Sequence, residues 1–332
     1  MLKRVPIYPN IIRSNYNNNN IHEYDPYLQN ENENLTIIDA DWWNSLTYYI
    51  KKLIEMRLNN KFKLGQITIP HELSQSTNDN KNLKIIYQSY LDGFDYNVWY
   101  TDNIPNGPKN VKIIHIPDTI KKILFSIYMK EISRSTDKND INMNVDIYAF
   151  KNEINKNMEI GKEYFVRLSS TSGKNVKQID SFTNADDIIS HLVSNKLFVT
   201  QEYCRDKDTY LILVPWNDII DSRCEFRIFV VNNKLTAASP QKFWELHQYS
   251  SEELKSIEHA LSNISFINSV IYHTFVADIY VNMETQTCHL IELNPFGAHC
   301  GAGSSLFNWI TDYDVLHGLS QPELRYLSII NY

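Results

Sequence analysis

The sequence predicts a mixed α+β fold built largely from antiparallel hairpins. Three observations carry this. From about residue 160 the chain is a series of short runs rich in β-branched and aromatic residues, among them EYFVRLSS, YLILVPW, CEFRIFVV, KLTAAS, TFVADIYV and CHLIELN. Two pairs of these runs are joined by turns that suit a hairpin, at Asn232-Asn233 and at METQT, residues 283–287. Helical patterns separate only some of the strands, so the alternation is not strictly strand–helix–strand.

Residues 1–35 are polar and asparagine-rich and are expected to be irregular. WWNSLTYYIKKLIEMRL (42–58) has apolar residues at helical spacing, an amphipathic helix whose stripe reads as core. LSQSTNDNKN (73–82) and STDKNDINMN (135–144) read as loops. NVKIIHIP (110–117) reads as a strand, and DTIKKILFSIYMKEI (118–132) as a helix capped by Asp118 or Thr119. Helices are predicted over 185–195 and 251–264, each with a small polar cap and acids in its first turn. KLFVTQEY (196–203) is expected to be a strand.

The 332 residues suffice for one large domain or two modest ones. The expected division is an unassigned N-terminal region, 1–97, and a domain over 98–332. Within it, a first lobe spans about 160–217 and a metal-binding lobe 218–312. A composition 43% hydrophobic and 21% charged fits a globular protein with a real core. The net charge of -7 argues against a general nucleic-acid binder, which carries a basic patch. The four cysteines form no CxxC pair and read as reduced thiols. No run is long and apolar enough for a membrane span, and a soluble cytoplasmic monomer is expected.

The chemistry begins in HLIELNPFG (289–297). Pairing Asn282 with Cys288 sets Asp278 across from Glu292, and alternation puts Asn294 on the same face. Opposed carboxylates repel. A cation offsets this, or one carboxylate takes a proton; otherwise the two form a solvent-facing acidic pair that needs no ion, or the register differs. Three oxygen donors, two of them charged, suit Mg²⁺ or Mn²⁺ better than zinc. EYFVRLSSTSGKNV (163–176) runs from a strand holding Arg167 into a loop with Ser169 and Lys174. Its small residues allow backbone N–H groups to approach a polyphosphate, though it also reads as a polar turn. It lacks the Walker A spacing. Glu225 and Arg227 share a face as an ion pair, or Arg227 reaches phosphate. YLILVPW offers backbone groups to an adenine edge, or is only a buried strand. The order of these segments is the layout of an ATP-grasp site, in which two α+β lobes hold ATP and Mg²⁺ between their sheets.

The runs LILVPW, CEFRIFVVNNKLTAAS, FVADIYVN and HLIELNPFG…SSLFNW together resemble the cell division cycle protein 123 family, a divergent ATP-grasp clade. VWYTDN, IIHIPDTIKKIL and PELRY follow in the expected order, so the resemblance covers roughly 98–326. It implies that Arg167, Ser169 and Lys174 lie on the phosphate side, and that Leu213, Val214 and Trp216 belong to the adenine hinge. It implies that Arg227 serves the nucleotide and that Asp278, Glu292 and Asn294 bind Mg²⁺, with aspartate usual where Glu292 stands. The run after Ser239, Pro240-Gln241-Lys242, departs from a Gln-Arg-Asp-like run of the family.

Eukaryotic members assist assembly of translation initiation factor 2 through its gamma subunit. The resemblance therefore implies an ATP- and Mg²⁺-binding assembly factor. The alternative is an ATP-dependent carboxylate–amine ligase acting on a peptide or protein. A Mg²⁺ nuclease is disfavoured by the net negative charge. Catalytic residues are not assigned.

Overall fold

The computed structural model describes residues 2–7, 90–132, 145–172, 181–203, 207–217, 221–243, 247–297, 300, 302–309 and 312–327. The expected helix over 42–58, the loops at 73–82 and 135–144, and Lys174 lie outside the described residues. The chain divides into two compact units: residues 92–219, and residues 1–91 with 220–332.

The 92–219 unit is built on three antiparallel strands, β2 (Lys112–Ile116), β3 (Tyr164–Leu168) and β4 (Thr209–Pro215), with β4 in the centre. A single helical turn, α1 (Tyr96–Trp99), precedes them. Helices α2 (Asp118–Ile132), α3 (Val145–Asn157) and α4 (Ala185–Ser194) complete the unit. In α4, Ala185, Ile188, Ile189, Leu192 and Val193 are buried, the spacing of one helix face. Asn184 caps α4 by accepting the amide of Asp187. That face packs into a core with Val166, Leu168, Leu211 and Leu213 from the sheet. The predicted strand over 196–203 is not one. Lys196–Phe198 is a helical turn that passes into a π-helical turn, Val199–Tyr203. Its apolar cluster around Phe198 and Val199 is buried but short, and a short apolar cluster does not separate strand from helix.

The other unit is a six-stranded sheet in the order β1-β9-β6-β5-β7-β8. Its strands are β1 (Lys3–Ile7), β5 (Glu225–Val231), β6 (Lys234–Pro240), β7 (Phe275–Asn282), β8 (Thr287–Asn294) and β9 (Glu323–Leu327). The strand β1 corrects the expectation that the first residues are irregular; it pairs in parallel with β9. Two helices flank the sheet's strands in sequence, α5 (Ser251–Ser262) and α6 (Tyr313–Leu316). Asn232 and Asn233 both have positive φ, 51° and 60°, as a two-residue primed turn requires. Asparagine tolerates this left-handed setting better than most residues. Phe229, Ala237, Val276, Phe296, Phe307, Trp309 and Leu316 form the core on this sheet.

Candidate functional site

The candidate metal side lies on the six-stranded sheet. The pairings set Ser239, Arg227, Asp278 and Glu292 in one row across β6, β5, β7 and β8. Asp278 is 2% exposed, on a strand whose other residues are almost all buried. A carboxylate there is costly unless compensated. Arg227 compensates it with a two-toothed pair: Nε donates to Oδ1 at 2.8 Å and Nη2 to Oδ2 at 2.9 Å. The Gln241 amide adds a third bond to Oδ2, at 2.7 Å. Glu292 and Asn294 sit part-buried beside it, and Asn294 Nδ2 donates to Glu292 Oε1 at 3.4 Å. Arg227 therefore pairs with Asp278 across strands, a partner that the two-residue spacing of Glu225 and Arg227 does not suggest.

The Asp278–Glu292 opposition is present, although the pairing at the turn is not the expected one. Asn282 faces Thr287, not Cys288, because the loop closes on four residues with Gln286 at a φ of 54°. A β-bulge between Asp278 and Ile279 then shifts the register by one and brings Asp278 opposite Glu292. Past Asn294 the chain turns through Pro295 and Gly297, the latter at a φ of 143° that suits glycine. The Tyr90 hydroxyl holds this turn: it donates to the Phe296 carbonyl and accepts the Phe296 amide. Burial pushes that phenol's pKa well above the usual tyrosine range. Gly303 packs over Arg227, where a Cβ would stand 3.6 Å from Nη1.

The donor chemistry fits Mg²⁺. Asp278, Glu292 and Asn294 present hard oxygens on one sheet face. Among the described residues, no three or more His, Cys, Asp or Glu side chains are grouped to hold a metal, so the set depends on the amide of Asn294.

The phosphate-side residues lie in the 92–219 unit. Arg167 is 8% exposed, with its guanidinium carbon 5.0 Å from the Tyr96 ring centroid. Ser169 is fully buried; its hydroxyl accepts the Tyr210 amide and its carbonyl accepts the Tyr96 amide. It ties strand to loop, the role its bonds show at the position that the sequence reading put on the phosphate side. The expectation that this loop's backbone N–H groups face a phosphate fails at Ser170, whose amide donates to Glu202. In the same unit Lys207 pairs with Asp92 at 2.9 Å and with Asp95 at 2.7 Å. Burial raises the Asp95 pKa, against the pull of Lys207.

Leu213 is fully buried and pairs on both sides, with Lys112 and with Val166, so only its neighbours fit a hinge. The ladder with β2 ends at Leu213, while β4 continues along β3. Trp216 donates its amide to Glu163 on the β3 side. Antiparallel alternation then turns the Pro215 carbonyl to the opposite edge, beyond the last β2 pair. Val214 and Trp216 are half-buried there.

The D123 family model matches residues 163–330, just over half of the chain. The chain belongs to this family. The match is the one the sequence resemblance implies, and it spans Arg167 through Asn294. A CDC123-like protein of Acanthamoeba polyphaga mimivirus is 26% identical over 336 residues, covering 90% of this chain and 95% of that protein. Cdc123 from Schizosaccharomyces pombe matches with a TM-score of 0.54 at 18% identity, covering 72% of this chain and 97% of its own. Its C-terminally truncated form gives 0.53 at 19%, with the same coverage. These identities speak to the fold alone, and that fold is ATP-grasp-like, with the two sheets described above. Tyr90, Asp95 and Tyr96 precede the span of the family model yet brace residues within it. No helix among the described residues is long and apolar enough to cross a membrane.

Proposed function

We propose that this protein binds ATP with Mg²⁺ and acts as an assembly factor on the gamma subunit of translation initiation factor 2. The observation that carries the nucleotide half is the row of Arg227, Asp278 and Glu292 with Asn294 on one sheet face. Asp278, Glu292 and Asn294 are the residues that would hold the ion. When bound, Mg²⁺ neutralises charge on the phosphate oxygens. Arg227 already faces that carboxylate set and supplies a fixed cation beside it. Arg167, in the 92–219 unit with its guanidinium over the Tyr96 ring, is the cation that this reading assigns to the phosphates from that unit. The Pro215 carbonyl, turned past the β2 ladder, suits the exocyclic amine of adenine, with Val214 and Trp216 flanking the ring. The partner half of the proposal follows from family membership and not from a surface feature.

The test is thermal unfolding with ATP and Mg²⁺, together and singly, on wild type and Asp278→Asn. A ligand at about 100 times its dissociation constant adds about 2.7 kcal/mol to stability. The wild type is expected to gain this with both ligands present, and the variant to gain little. No shift at saturating ligand would sink the nucleotide reading. Capture of purified gamma subunit only with ATP and Mg²⁺, and without turnover, is expected next. ADP release that requires an added acid and amine would instead mark the ligase.

A further inference from the structure

Glu202 has no place in the sequence reading of the site, yet it is the acid on which the Ser-rich loop rests. It is fully buried in the π-helical turn Val199–Tyr203. Its Oε1 accepts both donors of Ser170, the amide at 2.9 Å and the hydroxyl at 2.5 Å. Its Oε2 is buried with no hydrogen-bond partner.

Two neighbouring bonds show what this fixes. Ser169 is locked to Tyr210 and Tyr96, and Leu168 donates to the Thr171 carbonyl. The loop from Leu168 to Thr171 is thus held at every residue, and Ser170 is held by a charge. A neutral acceptor would satisfy Ser170 without burying an anion. A carboxylate makes shorter, stronger bonds and carries a desolvation cost that an unpartnered oxygen raises further. Lys207 lies close enough to feel that charge, and its pKa ends up raised: burial lowers it, and Asp95, Asp92 and Glu202 outweigh the burial. π-Turns and buried unsatisfied groups concentrate at functional sites.

We infer that Glu202 is a positioning residue for the phosphate end of the nucleotide: by taking both donors of Ser170 it fixes the loop that follows Arg167, and so the setting of that cation, without offering Ser170 itself to a phosphate. The inference rests on the nucleotide reading above. Glu202 touches no ligand itself; it acts through Ser170.

The test is calorimetric titration of the full chain with ATP plus Mg²⁺, and separately with adenosine, on wild type, Glu202→Ala, Glu202→Gln and Ser170→Ala. Loss of a charge-assisted pair predicts at least about tenfold weaker ATP binding in Glu202→Ala. Adenosine affinity is expected to stay within about twofold, because the loop serves the phosphates. Glu202→Gln keeps the Oε1 acceptor but not its charge and is expected to recover part of the ATP affinity. Equal loss for ATP and adenosine, or no recovery in Glu202→Gln, would reduce Glu202 to a structural tie and overturn the inference. If Glu202→Ala does not fold, Ser170→Ala decides: unchanged ATP affinity overturns the inference, and a phosphate-specific loss supports it. Wild type that binds neither ligand overturns the nucleotide reading together with this one. Wild type that binds ATP while Glu202→Ala binds it equally well overturns this one alone.

Discussion

Asp278 and Arg227 form a pair that is half legible from sequence. The two-residue spacing of E-x-R and the hairpin E-x-N show which side chains share a face. They do not show that Arg227 pairs with Asp278 on the neighbouring strand, because that needs the β5–β7 pairing. Gln241 and Glu202 were illegible for the same reason. Each acts on a residue far along the chain, 37 and 32 positions away, through a contact that no local pattern encodes. His317 gives a prediction at this scale. It stacks on Tyr313 at 3.9 Å, against the edge of Phe296, and burial pushes its pKa down to about 4. The unfolded chain takes up this proton first, at an ordinary histidine pKa near ~6.5. The stability tied to neutral His317 is therefore complete above that pH and is lost as pH falls toward about 4, on the order of 3 kcal/mol in all. Urea unfolding at neutral pH and at the lower end of this window is expected to differ less in His317→Leu than in wild type.

Elements were more legible than contacts. The helices over Asp118–Ile132, Ala185–Ser194 and Ser251–Ser262 match their periodicity, because an apolar stripe that must be buried fixes both type and extent. The β5–β6 hairpin followed from Asn232 and Asn233, whose φ values few other residues accept, and the β7–β8 hairpin from the length of its loop. The run 196–203 was misread because its apolar cluster is short, and short clusters do not separate strand from helix. The hairpin carrying the acids came out right at Asp278 only because a bulge offset a wrong turn length. In α5, the Ser250 side chain takes the Glu253 amide and the Glu253 side chain takes the Ser250 amide. Ser250→Ala is expected to lower stability by about 1 kcal/mol, read from the denaturant midpoint at an unchanged slope. Arg223 also bonds Glu253, so the variant is expected to retain that ion pair.

At the scale of the whole molecule, sequence order gave the sequence of site segments, but not that residues from both chain regions build the larger unit. Residues 2–7 read as the start of a polar tract because a five-residue strand has too few positions to show a period. Their partner β9 meets β6 at only two residue pairs, so β1 covers most of its other edge. Deleting residues 1–7 is expected to lower the melting temperature and raise self-association, seen by light scattering, since an uncovered strand edge pairs with other chains. The Lys3–Glu323 bond joins residues 320 positions apart. A ribosome adding about 5–20 residues per second makes the second partner some 16–64 s after the first. The 92–219 unit, contiguous in the chain, is complete long before that. Newly made chains therefore carry a finished small unit while the larger sheet still waits for its last strand, and that interval is when a chaperone would have most to protect.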